Sequence, residues 1–378
     1  MNIQEAKETI ETALRAYFAR DEIGFPLVPL RQQRPILLIG PPGIGKTAIM
    51  EQIAEECGVG LVAYTMTHHT RQSAMGLPEI CKREIEGKTV HTTEYTMSEI
   101  IASIYDCMEQ TGKKRGILFL DEINCVSETL APVMLQLLQD KKFGNQHIPD
   151  DWLIVAAGNP PEYNKSVREF DVATLDRVRK IEVVPELSVW LSYAEKNQIH
   201  SAVTTYLMAH SDHFYSVSQE ADEKRFVTAR GWEDLSELMQ VYESLGIPVD
   251  RQVVEQYLQL PQVASDFANY LQLYDKYKQV YRVDELLSGT WEPVRASELR
   301  DAPFDEKLGV LGLLLSRLAD GARDAYRLDA LTDALHADLL AIREGEKAIA
   351  SLPDEKRAAL ADKRNGGSSD KDALYVAS

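Results

Sequence analysis

Short, almost purely apolar runs punctuate the first half of the chain, at residues 36–39, 61–64, 117–120, 153–157 and 181–184. Each is short enough for a strand and lacks the polar face of a surface helix. Stretches of helical spacing separate most of them. Strands buried on both faces and alternating with helices predict a parallel sheet flanked by helices. Ahead of this block, residues 1–33 read as an N-terminal helix and a connector. Ile10, Leu14, Tyr17 and Phe18 fall on one helical face, and Glu5, Glu8 and Glu11 interrupt any signal-peptide pattern. The α/β block covers residues 34–185. After Pro185 the strand-like runs stop, and residues 186–260 read as a small helical bundle, a lid. Residues 261–362 form a further helical region. Within it Phe267, Tyr270, Leu271, Tyr274, Tyr277 and Tyr281 recur at helical spacing without interleaved basic residues, which predicts core rather than a base-stacking surface. The apolar run at 308–318 is too short to span a membrane. Residues 363–378 contain Gly-Gly-Ser-Ser-Asp-Lys-Asp and read as a disordered tail.

The first chemistry lies where the run 36–39 ends. Gly40-Pro41-Pro42-Gly43-Ile44-Gly45-Lys46-Thr47 fits GxxxxGK[ST], and a good helical stretch follows from Thr47. Strand, glycine loop, helix is the context that gives this motif meaning. The glycines let backbone N–H groups close on phosphate oxygens, and the helix N-terminus adds partial positive charge. Gly40 to Thr47, with Ala48 behind them, are the expected nucleotide-binding residues. Lys46 is expected to reach the β and γ phosphates and Thr47 to ligate Mg²⁺.

The run 117–120 ends in Asp121-Glu122, 75 residues beyond Lys46 for the first of the pair. A carboxylate at the C-terminal edge of a parallel strand lies where ligands bind. Asp121 is the expected magnesium carboxylate and Glu122 the base that orients and deprotonates water. An isolated acid pair can instead merely cap the next helix; its place after the glycine loop favours the catalytic reading. The run 153–157 leads to Gly158-Asn159-Pro160-Pro161. A neutral amide there can position the water and touch the γ-phosphate, although Asn before prolines also starts turns. Eighteen residues past Asn159 comes Arg177, in Thr174-Leu175-Asp176-Arg177-Val178-Arg179. An arginine at this helix end can face a neighbouring subunit's nucleotide, with Arg179 in reserve; the alternative is a surface ion pair. Arg230, in Phe226-Val227-Thr228-Ala229-Arg230-Gly231-Trp232, is the candidate for a second γ-phosphate contact from the lid.

In order and wording these motifs resemble the AAA+ ATPases, and among them the MoxR family. Asp121-Glu122-Ile123-Asn124 resembles the DEIN motif of the helix-2-insert group, and Leu175-Asp176-Arg177 its arginine-finger segment, with Val178 in place of the usual Phe. The resemblance covers about residues 30–260. It implies an ATP hydrolase with ATP and Mg²⁺, a P-loop NTPase sheet followed by a helical lid, and a hexameric ring with nucleotide between subunits. It also implies a helix-2 insert at about 66–97, with a hairpin around Glu86-Gly87-Lys88. Its function would be remodelling or chaperone-like maturation of protein partners, typically one with a von Willebrand factor A domain. The alternative within the same group is a nucleic-acid-linked motor of the McrB type.

Charge bears on that choice. The chain has 41 Lys+Arg against 59 Asp+Glu, a net −18, which argues against nucleic acid as the main substrate. No membrane span is evident. Cys57, Cys81, Cys107 and Cys125 contain no CxxC pair, which argues against a zinc site or disulfide framework and for a reducing cytoplasm.

Overall fold

The computed structural model describes residues 1–328 apart from 86–87, 145, 165, 221–222, 291–292, 305, 316, 319–320, 323–324 and 327. Chain contacts separate two units, Met1–Lys276 with Phe304–Gly309, and Tyr277–Pro303 with Val310–Ser378.

The first unit opens with α1 (Ile3–Phe18), started by a capping box in which Asn2 and Glu5 exchange side-chain and backbone hydrogen bonds. Then follow β1 (Ile36–Ile39), α2 (Lys46–Glu56), β2 (Gly60–Thr65), α3 (Arg71–Met75), β3 (Pro78–Ile85), β4 (Lys88–Tyr95) and α4 (Glu99–Thr111). Next come β5 (Gly116–Asp121), α5 (Ala131–Asp140), the short β6 (Lys142–Phe143) and β7 (Gln146–His147), β8 (Trp152–Gly158), α6 (Val172–Leu175) and β9 (Arg179–Glu182). The lid holds α7 (Leu187–Lys196), α8 (Ser201–Ala209), β10 (Ser216–Glu220), β11 (Glu223–Val227), α9 (Ala229–Leu245) and α10 (Arg251–Tyr257). A long helix, α11 (Pro261–Tyr281), ends in the second unit, which adds α12 (Val283–Leu287) and α13 (Pro293–Asp301).

The central sheet has five parallel strands in the order β2-β5-β8-β1-β9. It is the parallel sheet with flanking helices of a P-loop α/β fold. Its strands sort their side chains by parity. Ile36 and Leu38 of β1, Ile117 and Phe119 of β5, and Leu153, Val155 and Ala157 of β8 join the apolar layer under α1 and α2. Leu37, Leu118, Leu120, Ile154 and Ala156 join the opposite layer, with Ile100, Ile101 and Ile104 of α4 and Met134 and Leu137 of α5. Each of the Ile, Leu, Val, Phe and Met side chains among them, buried in full, contributes about 1.5–3 kcal/mol. A pattern with no polar face is what strands covered on both sides require.

Strand β1 lies between β8 and β9, so the chain leaves it for α2 and returns on the far side of the sheet. The C-terminal ends of β1 and β8 thus flank a topological switch point, where open α/β sheets bind ligands. The hairpin expected near residue 87 exists as β3 paired antiparallel with β4; its turn residues Glu86 and Gly87 lie outside the described residues.

The lid differs from the all-helical reading. It contains an antiparallel hairpin, β10 with β11, in register Ser216↔Val227. The segment Ser216-Val217-Ser218-Gln219-Glu220 is almost wholly polar, so apolar periodicity had nothing to detect. The aromatic stripe is core: Phe267 is fully buried and meets the rings of Tyr206 and Trp232, each at 5.0 Å. In the second unit Tyr277, Tyr281, Val283, Val310 and Leu313 are buried. The helical expectation beyond residue 328 and the tail at 363–378 lie outside the described residues. Among the described residues no helix is long and apolar enough to cross a membrane.

Candidate nucleotide site

The loop after β1 turns sharply before α2. Gly45 caps that helix at φ 89°, and Gly43 sits at φ 71°. A Cβ on Gly43 would stand 2.9 Å from Thr228 Oγ1, so a side chain there would collide with the lid. The lid is joined to this loop at two further points. Arg230 N–H donates to Gly43 O at 3.2 Å, and Tyr215 OH donates to Pro42 O at 2.8 Å.

Lys46, the first residue of α2, is only 8% exposed. Its ammonium donates to Gly40 O at 2.7 Å, Pro41 O at 2.9 Å and Asn159 Oδ1 at 3.0 Å. Burial lowers its pKa from 10.5 to about 8; Asp121 and Glu122 oppose that drop and Arg230 adds to it. Thr47 Oγ1 donates to Asp121 Oδ2 at 3.1 Å. A hydroxyl and a carboxylate converging beside a phosphate loop make the oxygen donor set that suits magnesium. The residues present therefore fit that ion, which Thr47 and Asp121 would hold.

Glu122 sits in the left-handed region, at φ 55°, where a non-glycine residue is uncommon. This re-aims the chain directly after the strand. Glu122 N–H donates to Asp121 Oδ1 at 2.8 Å, and its carboxylate accepts from Thr67 Oγ1 at 2.7 Å. Thr67 lies just past the end of β2 and was not foreseen from the sequence.

Asn124 was expected only as a letter of a motif. Its amide clasps the Asn159 backbone: Nδ2 donates to Asn159 O at 2.8 Å, and Asn159 N–H donates to Oδ1 at 3.3 Å. The side chain is 5% exposed and lies over Gly158, where a Cβ would come within 2.6 Å of Oδ1. The turn bearing Glu122 and the turn bearing Asn159 are thereby tied together. A buried Asn after an acid pair was the available signal, but its partner is 35 residues away.

Lys46, Thr47, Asp121, Glu122 and Asn159 thus converge, with Arg230 approaching from the lid of the same chain. The other arginines do not join them. Arg177 is exposed just beyond α6, and its charge is felt by Asp171 rather than by Lys46. Arg179 opens β9 beside Ile36, at the end of the sheet away from the phosphate loop. Arg168 pairs with Glu128 at 3.1 Å.

A buried lysine in a glycine loop, a hydroxyl–carboxylate pair and a second carboxylate beside them make an arrangement suited to ATP hydrolysis. Residues 35–178 match the AAA domain of the dynein-related subfamily. Over 117 residues the chain is 31% identical to midasin of Giardia intestinalis; the match covers 30% of this chain and 2% of that protein. Among solved structures it is similar to a candidate ATPase from Cytophaga hutchinsonii at 15% identity and TM-score 0.28, covering 48% of this chain and 46% of the other.

Proposed function

We propose that the chain acts as a MoxR-like AAA+ ATPase, a hexameric ring that couples ATP hydrolysis to remodelling or chaperone-like maturation of protein partners. The observation that carries this reading is the β3–β4 hairpin. Ile80 is 75% and Ile85 53% exposed on its two opposite faces, so the hairpin carries apolar side chains that its own core does not cover. Its base is anchored close to the chemistry. Leu77 and Thr96 bond each other across it, Gln146 Nε2 donates to Thr96 O at 2.9 Å, and α3 before it leads back to Thr67 and so to Glu122. A change at Glu122 thus has a short physical route to an exposed apolar hairpin. The net charge of −18 favours a protein client over a nucleic acid. A partner with a von Willebrand factor A domain belongs to this reading. So does a reducing cytoplasm, supported by four free cysteines.

In this scheme Lys46 neutralises the β and γ phosphates, and Thr47 and Asp121 hold magnesium. Glu122 takes the proton of the attacking water, which Asn159 orients. Arg230 senses the γ-phosphate in its own subunit, while Arg177 serves the neighbour's site. The test is a mixing experiment. Arg177→Ala and Lys46→Ala are each expected to be inactive, the first with hydrolysis reduced about 10³- to 10⁵-fold. Mixed rings should regain hydrolysis at boundaries that combine a sound loop with a sound finger. Mixtures that exchange subunits yet stay inactive would overturn the ring assignment of Arg177.

A further inference from the structure

The end of the sheet opposite the phosphate loop carries two features that the ATP site does not use. The first is an open cavity of about 610 Å³. Leu14 and Phe18 of α1 and Val59 form its apolar part, while Arg15, Lys114 and Arg115 supply positive charge. It adjoins Gly60 and Gly116, which pair where β2 and β5 begin. The second is the turn directly after α1. There Ile23 is 83%, Phe25 65% and Leu27 63% exposed, and Glu22 is exposed beside them.

This turn is built rather than loose. Asp21 Oδ1 accepts from the N–H groups of Ile23 at 3.0 Å and Phe25 at 2.7 Å, and Asp21 N–H donates to Phe25 O at 2.8 Å. Leu27 N–H donates to Ala19 O at 3.0 Å, and Arg20 is ion-paired to the half-buried Asp151, just ahead of β8. Three large apolar side chains are therefore held in water by a fixed backbone, an arrangement that marks a contact surface.

The two features complement each other. The turn offers apolar bulk with a carboxylate, and the cavity offers apolar walls with cationic groups. The recess is open to solvent, and its volume leaves room for two large side chains to lie in it. They also adjoin, since Ala19 lines the cavity and closes the turn. A surface that carries a projection beside its matching recess is self-complementary under a two-fold axis. We propose that this face binds a second copy of the chain, the 22–27 turn of each copy entering the cavity of the other, with Glu22 against Lys114.

The contact lies away from the phosphate loop, so it should form without nucleotide and weaken with salt. Sedimentation velocity on the full chain in nucleotide-free, low-salt buffer, from about 1 to 200 µM, should show twice the chain mass at the upper end, as a small interface allows. Phe25→Asp should leave only monomer. Glu22→Lys and Lys114→Glu should each weaken association at least tenfold, and an equimolar mixture of the two should restore it, because each contact then pairs opposite charges again. Circular dichroism and unchanged ATP affinity establish that the variants are folded. A wild-type monomer throughout, a dimer that survives Phe25→Asp, or a mixture that stays monomeric would overturn the proposal. Nucleotide-free species larger than a dimer would overturn its two-fold form. A failure of the ATP-dependent ring leaves this dimer intact, so the two readings are separable.

Discussion

On the proposed reading, in which Lys46 holds the phosphates, ATP binding should depend on pH. Burial brings its pKa to about 8 in the nucleotide-free site. Phosphate has its second pKa near ~6, so above pH 7.5 ATP brings full negative charge and binds the protonated lysine. Bound phosphates hold that proton, so affinity should follow the protonated fraction of the free site. Between pH 7.5 and 9.5 that fraction falls about 25-fold for a pKa of about 8, equivalent to about 2 kcal/mol. Binding above pH 8 should also take up a proton. Calorimetric titration with a non-hydrolysable ATP analogue, in buffers of different ionisation enthalpy, reads both quantities. Lys46→Arg is the control, because a guanidinium does not titrate in this range. Its affinity should be nearly level with pH, whatever its absolute value. The free protein should move the other way. The folded pKa lies below the unfolded one, so the unfolded chain holds the extra proton between about 8 and 10.5, and Lys46 makes stability rise with pH across that window. A wild-type affinity that stays level from pH 7.5 to 9.5, or an equal fall in Lys46→Arg, would refute the reasoning.

Asn124→Ala removes both amide bonds to Asn159 and leaves part-buried backbone groups unpaired, at a cost of about 1 kcal/mol; turnover should fall more than ATP affinity, as steady-state kinetics beside equilibrium binding will show. Gly158→Ala drives a methyl group into the Asn124 amide and should lower both the melting temperature and turnover, with about 1–3 kcal/mol of overpacking read by thermal denaturation. Thr67→Val frees the Glu122 carboxylate from a hydrogen bond worth about 0.5–1.5 kcal/mol, so basal hydrolysis should rise roughly two- to tenfold; an unchanged rate would exclude Thr67 as a restraint on Glu122.

Much of this site was readable because its chemistry is contiguous in the chain. Lys46 and Thr47 stand in one glycine loop, and Asp121 and Glu122 directly follow an apolar strand. Asn159 follows the next. Once strands and helices alternate, strand ends collect on one edge without further information. What escaped depends on partners far apart in the chain. The Thr67–Glu122 bond spans 55 residues, and nothing in a lone threonine marks it. The Asn124 clasp depends on a turn in which Glu122 takes φ 55°, a conformation that residue identity does not announce. The β10–β11 hairpin escaped for a different reason: backbone pairing alone makes it a strand pair, and its polar side chains carry no period. Arg230 was legible as a lid residue, but only the Gly43 contact shows that it approaches its own chain's phosphate loop.

The parity sorting of the central strands has a consequence for how this protein can change. Sliding β8 one residue past β1 would turn Leu153, Val155 and Ala157 toward α4 and α5 and send Ile154 and Ala156 the other way. The two greasy layers would have to be rebuilt at once. They therefore act as a ruler between the start of the glycine loop, Gly40, and Asn159, which directly follow Ile39 and Gly158 in that same register. A single substitution can silence the polar groups at the strand ends while the fold survives. Small geometric drift is closed to them, because any shift of their spacing must first pass through the failure of the whole core. Such a scaffold can lose its chemistry in one step, yet it can scarcely blur it.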